Sequence, residues 1–293
     1  MTLLQDWHAM APYQVGLTFI TMVREELRTN ASGLSPEQLA AIRRTYRIER
    51  GNRPVADHNY ARRLEDIIEF LGCWNGQFPP RILDAGCGRG SESILFALLG
   101  ADVTGIDFHS HNIEIARRRG EYYSNLAGNA LRLRWIRGNV LRDVDEKYDV
   151  VWAREAITHI FPVEGFLDVV TGVLEPGGFF IVSDVSRWHP GWVLLDAWER
   201  GLFRRRYSVM PDKASGDEVL YGDENAVSVR WLKRQLRGRG FDIVRVRHST
   251  FFVDAVMPGW AFPYAKRLER VLASSPVTDW LGMVYTLTAQ KAG

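Results

Sequence analysis

Between residues 15 and 27 apolar side chains recur at helical spacing, interrupted by Arg24 and two glutamates, which predicts an amphipathic helix. Ser35-Pro-Glu-Gln38 has the form of a helix start, with a hydroxyl at the cap, proline first and glutamine three residues after the cap. Tyr60, Leu64, Ile67, Ile68 and Leu71 follow the same period and predict a helix with one face on a core. Gly72 and Gly76 close that helix, and Pro79-Pro80 bars its continuation. Residues 1–78 therefore read as a helical extension.

From Arg81 the period changes. Apolar runs at 82–84, 102–107, 133–138, 148–153 and 179–183 predict strands. Helices are expected at 91–99, 111–125 and 156–173, the last in at least two parts because Pro162 interrupts it. Arg117, Arg118 and Arg119 are expected on a solvated helix face, and Glu175-Pro-Gly-Gly178 marks a turn. Repeated strand–helix units of this length call for an open, mostly parallel sheet covered by helices on both faces. After Asp184 the rhythm stops. Residues 186–227 show no strand periodicity and read as a cap inserted after the fifth strand. A helix at 228–239, a strand at 241–248, a helical interval at 261–273 and a strand at 284–290 complete a domain spanning 79–293.

Composition excludes more than it specifies. With 46% hydrophobic and 25% charged residues, the 293-residue chain has the make-up of an ordinary globular protein. A net charge of +2 gives no mandate for nucleic acid or an anionic surface. Two cysteines, Cys73 and Cys87, make no disulfide framework and point to a reduced, cytoplasmic setting. No run approaches the ~18 apolar residues of a membrane span, and no secretory pattern opens the chain. The chemistry concentrates in Arg81-Ile-Leu-Asp-Ala-Gly-Cys-Gly-Arg-Gly-Ser-Glu-Ser93, where an apolar run ends in Asp84 and Gly86, Gly88 and Gly90 precede a helix. Strand, glycine turn and helix bring backbone close to a nucleotide-like ligand, at a place where a Cβ would collide with it. A dinucleotide is the main rival ligand. Two features oppose it: the third glycine comes one residue early for Gly-x-Gly-x-x-Gly, and Glu92 would face a pyrophosphate with like charge.

Leu83-Asp-Ala-Gly-Cys-Gly-Arg-Gly90 is followed in order by Val103-Thr-Gly-Ile-Asp-Phe108, Gly138-Asn139-Val140, Tyr148-Asp-Val-Val-Trp-Ala-Arg-Glu155 and Leu174-Glu-Pro-Gly-Gly178. Residues 81–184 thereby resemble the class I S-adenosylmethionine-dependent methyltransferases, in pattern those that act on quinones, sterols and sugars. The resemblance implies an α/β, Rossmann-like, seven-stranded and mostly parallel sheet with its last strand antiparallel. It implies S-adenosyl-L-methionine as cofactor, and methyl transfer to an oxygen or nitrogen of a small molecule such as a secondary metabolite. Quinone or lipid methylation is the alternative; a non-catalytic cofactor-binding module is the alternative of another class.

The same resemblance assigns cofactor binding to Asp84, Gly86, Cys87, Gly88, Asp107, Phe108, Asn139, Val140 and Arg154. Asp107 would accept the two ribose hydroxyls, Phe108 would cover the adenine, and Asn139 or the Val140 backbone would meet the adenine edge. Asp84 would act as a distant partner of the methionine charges or organise the loop amides, with a helix cap as its plainer role. Tyr13 or Tyr60 would approach the cofactor from the extension. Glu155-Ala-Ile-Thr-His159 is similar to a segment of the small-molecule enzymes, which implies His159 as general base, with packing as the plainer role, and Asp184 as its support or a substrate ligand. His159 stands four residues beyond Glu155, one helical turn on. Glu155, Trp188, His189 and Trp192 are substrate candidates, with Trp198, Phe203, Tyr207 and Tyr221 extending an aromatic wall, or else the aromatics pin an irregular lid to the body. Arg204-Arg-Arg206 reads as a solvated charge run. No metal is expected, because Val185 and Ser186 rather than a second oxygen ligand follow Asp184. Trp152-Ala-Arg-Glu155 stands where amino-methylating DNA enzymes often carry Asn/Asp-Pro-Pro-Tyr, so the expected partner is a small-molecule methyl acceptor and not nucleic acid. Transient membrane contact and a homo-oligomer are both compatible with the sequence.

Overall fold

Ser35 and Gln38 cap the second helix reciprocally: Gln38 donates its amide to Ser35 Oγ at 3.2 Å, and Ser35 donates its own to Gln38 Oε1 at 3.0 Å. This computed structural model describes residues 7–46, 53–186, 189, 193, 207–211, 218–222, 226–251, 259–272 and 282–293. The chain divides into two compact units, one of Met1–Arg137 with Phe252–Pro263, the other of Gly138–Phe251 with Tyr264–Gly293.

The first unit contains helices α1 (Pro12–Thr29), α2 (Pro36–Thr45) and α3 (Arg53–Gly72), then β1 (Arg81–Ala85), α4 (Ser91–Leu98), β2 (Asp102–Asp107), α5 (Ser110–Ala127) and β3 (Leu133–Arg137). Helices α1 and α3 touch at Gly16, where an added Cβ would stand 2.9 Å from Ala61 Cα, so glycine sets the approach. The α3 residues Tyr60, Leu64, Ile67, Ile68 and Leu71 are all buried, as their spacing predicts. Strand β2 pairs in parallel with both β1 and β3.

The second unit holds β4 (Tyr148–Arg154), α6 (Val163–Val173), β5 (Leu174–Val185), a two-stranded hairpin of β6 (Tyr207–Pro211) and β7 (Glu218–Gly222), α7 (Val229–Gly238), β8 (Phe241–Ser249), α8 (Phe262–Leu272, its first two residues counted with the other unit) and β9 (Val284–Lys291). Strands β4 and β5 are parallel, whereas β9 runs antiparallel to both β5 and β8. The whole makes one seven-stranded sheet, ordered β3-β2-β1-β4-β5-β9-β8, as the resemblance implies.

Four local expectations fail for physical reasons. Arg119 is fully buried rather than solvated, because it continues the inward stripe of Ile115, Ala116 and Tyr123 on α5. Residues 156–162 form a turn, and helix begins only at Val163, with Pro162 as its N-terminal flank. The Glu175–Gly178 segment lies within the bounds of β5: Tyr148 stands opposite Leu174 and Val150 opposite Phe179, a register shift that absorbs it. The 186–227 segment does contain strands, β6 and β7, each five residues long and too short to announce a period of two.

Candidate functional site

The glycine turn in the first unit is built from left-handed backbone: Gly86, Gly88 and Gly90 have φ of 78°, 53° and 77°. Gly86 and Cys87 donate their amides to the Ile106 carbonyl at 2.9 and 3.0 Å, Gly90 donates to Cys87, and Gly88 donates to Asp107 Oδ2 at 3.0 Å. Four amides of the loop are therefore engaged within the chain and do not offer themselves to a pyrophosphate, whose binding depends on such donors. A Cβ on Gly90 would stand 2.5 Å from the Trp135 ring, so that glycine serves packing. A Cβ on Gly88 would meet nothing within 4 Å, which leaves open space over the loop.

Carboxylates surround this turn. Asp84 is buried and accepts the Ser93 hydroxyl at 2.5 Å. Glu92 is buried as well, so it does not escape into solvent from the helix start. Burial pushes the Cys87 thiol well above its ordinary value, and the neighbouring charges of Asp84, Asp107 and Glu92 push it further. Such a setting repels phosphate and suits a ligand that carries positive charge. Asp107 takes three internal donors, the Gly88 amide, the His109 amide at 2.8 Å and Asn112 Nδ2 at 3.1 Å. A carboxylate offers about four acceptor positions, so one remains on Oδ2. Phe108 is half-buried and meets His109 edge to face.

Behind the loop stands a strut that the sequence reading missed. Glu26 of α1 and Arg119 of α5, both fully buried, pair at 2.8 and 2.9 Å. Burial alone would lower the Arg119 pKa, but Glu26 more than reverses this and holds the guanidinium charged. The same guanidinium donates to the Arg89 carbonyl at 2.9 Å and to Ser91 Oγ at 2.5 Å, so it grips both ends of the loop-to-helix junction. Tyr46, just past α2, donates to the same Ser91 hydroxyl. The signal was the α5 periodicity, overruled by the assumption that three arginines in a row are solvated. Elsewhere in the unit, the Tyr13 hydroxyl and His58 Nδ1 are 2.7 Å apart, and Tyr60 is buried edge to face with Tyr46.

In the second unit, Asn139 accepts the Leu141 amide on its Oδ1 at 3.0 Å and so shapes its own turn, with Val140 buried beside it. Arg154 closes β4 and lies 3.5 Å from the exposed Glu155, whose φ of 49° is left-handed. Its amide nevertheless donates to Ser183 O at 2.9 Å, which fixes this corner to β5. His159 is half-buried in the turn, its amide donating to Ala156 O. Asp184 is buried and accepts the Val185 amide at 2.7 Å. His189 is half-buried, and burial lowers its pKa. Trp188, Trp192, Trp198, Phe203 and 204–206 lie outside the described residues; Tyr207 and Tyr221 stand in the hairpin, on neighbouring strands. Among the described residues there is no group of three or more side chains fit to hold a metal ion, and no helix long and apolar enough to cross a membrane.

The sequence model of a family described as a methyltransferase domain matches residues 56–246. A sterol 24-C-methyltransferase of Yarrowia lipolytica is 28% identical over 71% of this chain and 52% of its own length. A ubiquinone biosynthesis O-methyltransferase of Methylocella silvestris is 36% identical over 36% of this chain and 40% of its own. The chain thus spans about half, or less, of the length of these curated relatives. Among solved structures, a magnesium protoporphyrin IX methyltransferase from Synechocystis with bound S-adenosylhomocysteine superposes with a TM-score of 0.55 at 16% identity, covering 94% of this chain and all of that one, a likeness of fold.

Proposed function

The chain belongs to the methyltransferase-domain family, and from that premise we propose that it is an S-adenosylmethionine-dependent methyltransferase acting on an oxygen or nitrogen of a small molecule. The observation that carries this reading is the glycine loop, with its amides engaged internally, open space at Gly88 and carboxylates close by. S-adenosylmethionine supplies an electrophilic methyl group on a positively charged sulfur, and the acidic setting of the loop suits that charge.

The residues divide the work. Gly86 and Gly88 leave room for the ligand. Asp107, held in place by three internal donors, offers its remaining acceptor position to a ribose hydroxyl. Phe108 covers the adenine, while the Val140 backbone or the Asn139 amide nitrogen meets its edge. Asp84 offsets positive charge, Cys87 keeps the loop's underside apolar, and Arg154 borders the cofactor. His159 takes the proton from the acceptor, and Asp184 supports it. Glu155 and His189 touch the acceptor together with Trp188 and Trp192, in a cap formed by 186–227 on a domain of 79–293. The two free cysteines fit a reduced, cytoplasmic setting.

A quinone or lipid acceptor is the second reading, favoured by the sterol and ubiquinone names of the two relatives. Calorimetry with S-adenosylmethionine, followed by transfer of a tritiated methyl group into a small-molecule extract, tests the proposal. Saturable 1:1 binding and a labelled product support it. Binding without any product favours a non-catalytic module, and the absence of binding rejects both.

A further inference from the structure

Strand pairing in the second unit lines up three buried polar residues across the end of the sheet. Asp184 on β5 stands opposite Tyr285 on β9, and Tyr285 stands opposite His248 on β8. Directly paired residues project to the same face of a sheet, so these three form one transverse row. All are sequestered, with exposures of 1%, 0% and 3%. The ladder continues one step past the row: Ser186 donates its amide to Met283 O at 2.8 Å, and Met283 donates to Thr250 O at 3.4 Å. Positions 186, 283 and 250 each stand two residues from the row, just outside the strands, and so border it at the end of the sheet.

Two hydroxyls in this patch are unsatisfied. The Tyr285 phenol and Thr250 Oγ1 have no hydrogen-bond partner among the described residues, although both residues are more than nine-tenths buried. Thr250 also has a φ of 59°, a left-handed conformation that a β-branched residue rarely adopts. Its amide is held by Glu269 Oε1 at 3.2 Å, which fixes the strained backbone in place. Gly282 matters for the same patch: a Cβ there would stand 2.6 Å from His248 Cβ, so only glycine leaves His248 its position. Burial, and then the charge of Asp184, raise the Tyr285 pKa, so the phenol keeps its proton and remains a donor. Buried donors without partners are rare in folded proteins, and a group of them with strained backbone marks a place where a ligand supplies what the chain lacks.

We propose that Tyr285 and Thr250, in the patch with Asp184 and His248, form the subsite that recognises the methyl acceptor, and that its ligand class is a ring carrying two adjacent oxygens. Thr250, just past β8, is a diagonal neighbour of Tyr285, about 7–8 Å away at the backbone, a span that a tyrosine side chain can cross so that the two hydroxyls meet an oxygen pair. A ligand with a single oxygen would leave one of them unsatisfied. Asp184 and His248 flank the Tyr285 phenol along the row and present further hydrogen-bonding groups. The inference rests on the methyltransferase reading for the word acceptor; the subsite itself rests on the row.

The test uses catechol as a vicinal-dioxygen probe and 1,2-dimethoxybenzene as its counterpart without donors. Both are titrated by calorimetry into the full chain saturated with S-adenosylhomocysteine. Catechol is expected to bind at least tenfold more tightly than the dimethoxy compound. Tyr285→Phe is expected to weaken catechol about tenfold and Thr250→Val severalfold, while affinity for S-adenosylmethionine stays unchanged in both variants. Tyr285→Phe removes one oxygen atom from a buried site, and its melting temperature confirms that it is folded. Unchanged catechol affinity in both variants overturns the proposal, as does equal binding of the two probes or the absence of catechol binding. If S-adenosylmethionine fails to bind the wild-type chain, the titrations are run on the free protein. Catechol binding lost in Tyr285→Phe then leaves the subsite standing while the methyltransferase reading falls.

Discussion

Around the glycine loop, Gly86, Cys87, Gly88 and Gly90 donate their amides within the chain, and Asp107 is held by three donors before any ligand arrives. On the row from Asp184 to His248, the fully buried Tyr285 hydroxyl has no such partner among the described residues. Internal donors fix the first region's shape in advance, which suits a cofactor of constant structure. The second region keeps unsatisfied donors, which costs stability and leaves recognition to be completed by the ligand. Preorganisation on one side and unmet hydrogen bonds on the other distinguish the proposed cofactor site from the proposed acceptor subsite.

Substitutions should break this contrast in order of size. Glu26→Ala leaves Arg119 charged and buried without its partner, and is expected to cost about 3–5 kcal/mol of unfolding free energy in urea. It should also weaken S-adenosylmethionine binding, because the Arg89 carbonyl and Ser91 lose their anchor. Replacing both partners at once, Glu26→Leu with Arg119→Met, should recover much of the stability but not the cofactor affinity. Gly88→Ala separates ligand space from folding: its φ of 53° costs about 1–2 kcal/mol, and no neighbour is struck, yet affinity for S-adenosylmethionine should fall more than tenfold. Gly90→Ala should lose more stability than Gly88→Ala, since its Cβ overlaps the Trp135 ring. Tyr285→Phe, in contrast, should leave stability unchanged or raise it by about 1 kcal/mol, as thermal unfolding would record.

The smallest effects concern protons. Cys87 and Tyr285 hold theirs above the ordinary values of 9.0 and 10.0, so the unfolded chain releases protons first as pH rises. The stability they contribute is present below those values and declines above them, and urea titrations from pH 8 upward should show the fall. At pH 8 an aromatic disulfide reagent should modify the exposed Cys73 quickly and the buried Cys87 only after denaturation.

Much of this was legible in the chain. Strand β2 ends at Asp107 as its pattern predicts, and the Ser35–Gln38 cap is realised by two hydrogen bonds. Such features are local, and local sequence specifies them. The Arg119 strut and the Tyr285 row were not legible for a different reason. Arg119 is defined by Glu26, 93 positions away, and Tyr285 by its register against Asp184 and His248. A pairing across the fold leaves no mark on either segment alone. His159 shows the intermediate case, since placing it on one face with Glu155, one helical turn on, requires a helix where the chain forms a turn beside a left-handed Glu155.

The measurement closest to the central claim is calorimetric titration of S-adenosylmethionine into the wild-type chain and into Asp107→Ala, with NAD as the competing ligand. The account predicts 1:1 binding of S-adenosylmethionine, affinity reduced more than tenfold in the variant, and no heat from NAD. Tighter binding of NAD, or equal S-adenosylmethionine affinity in both proteins, would contradict it.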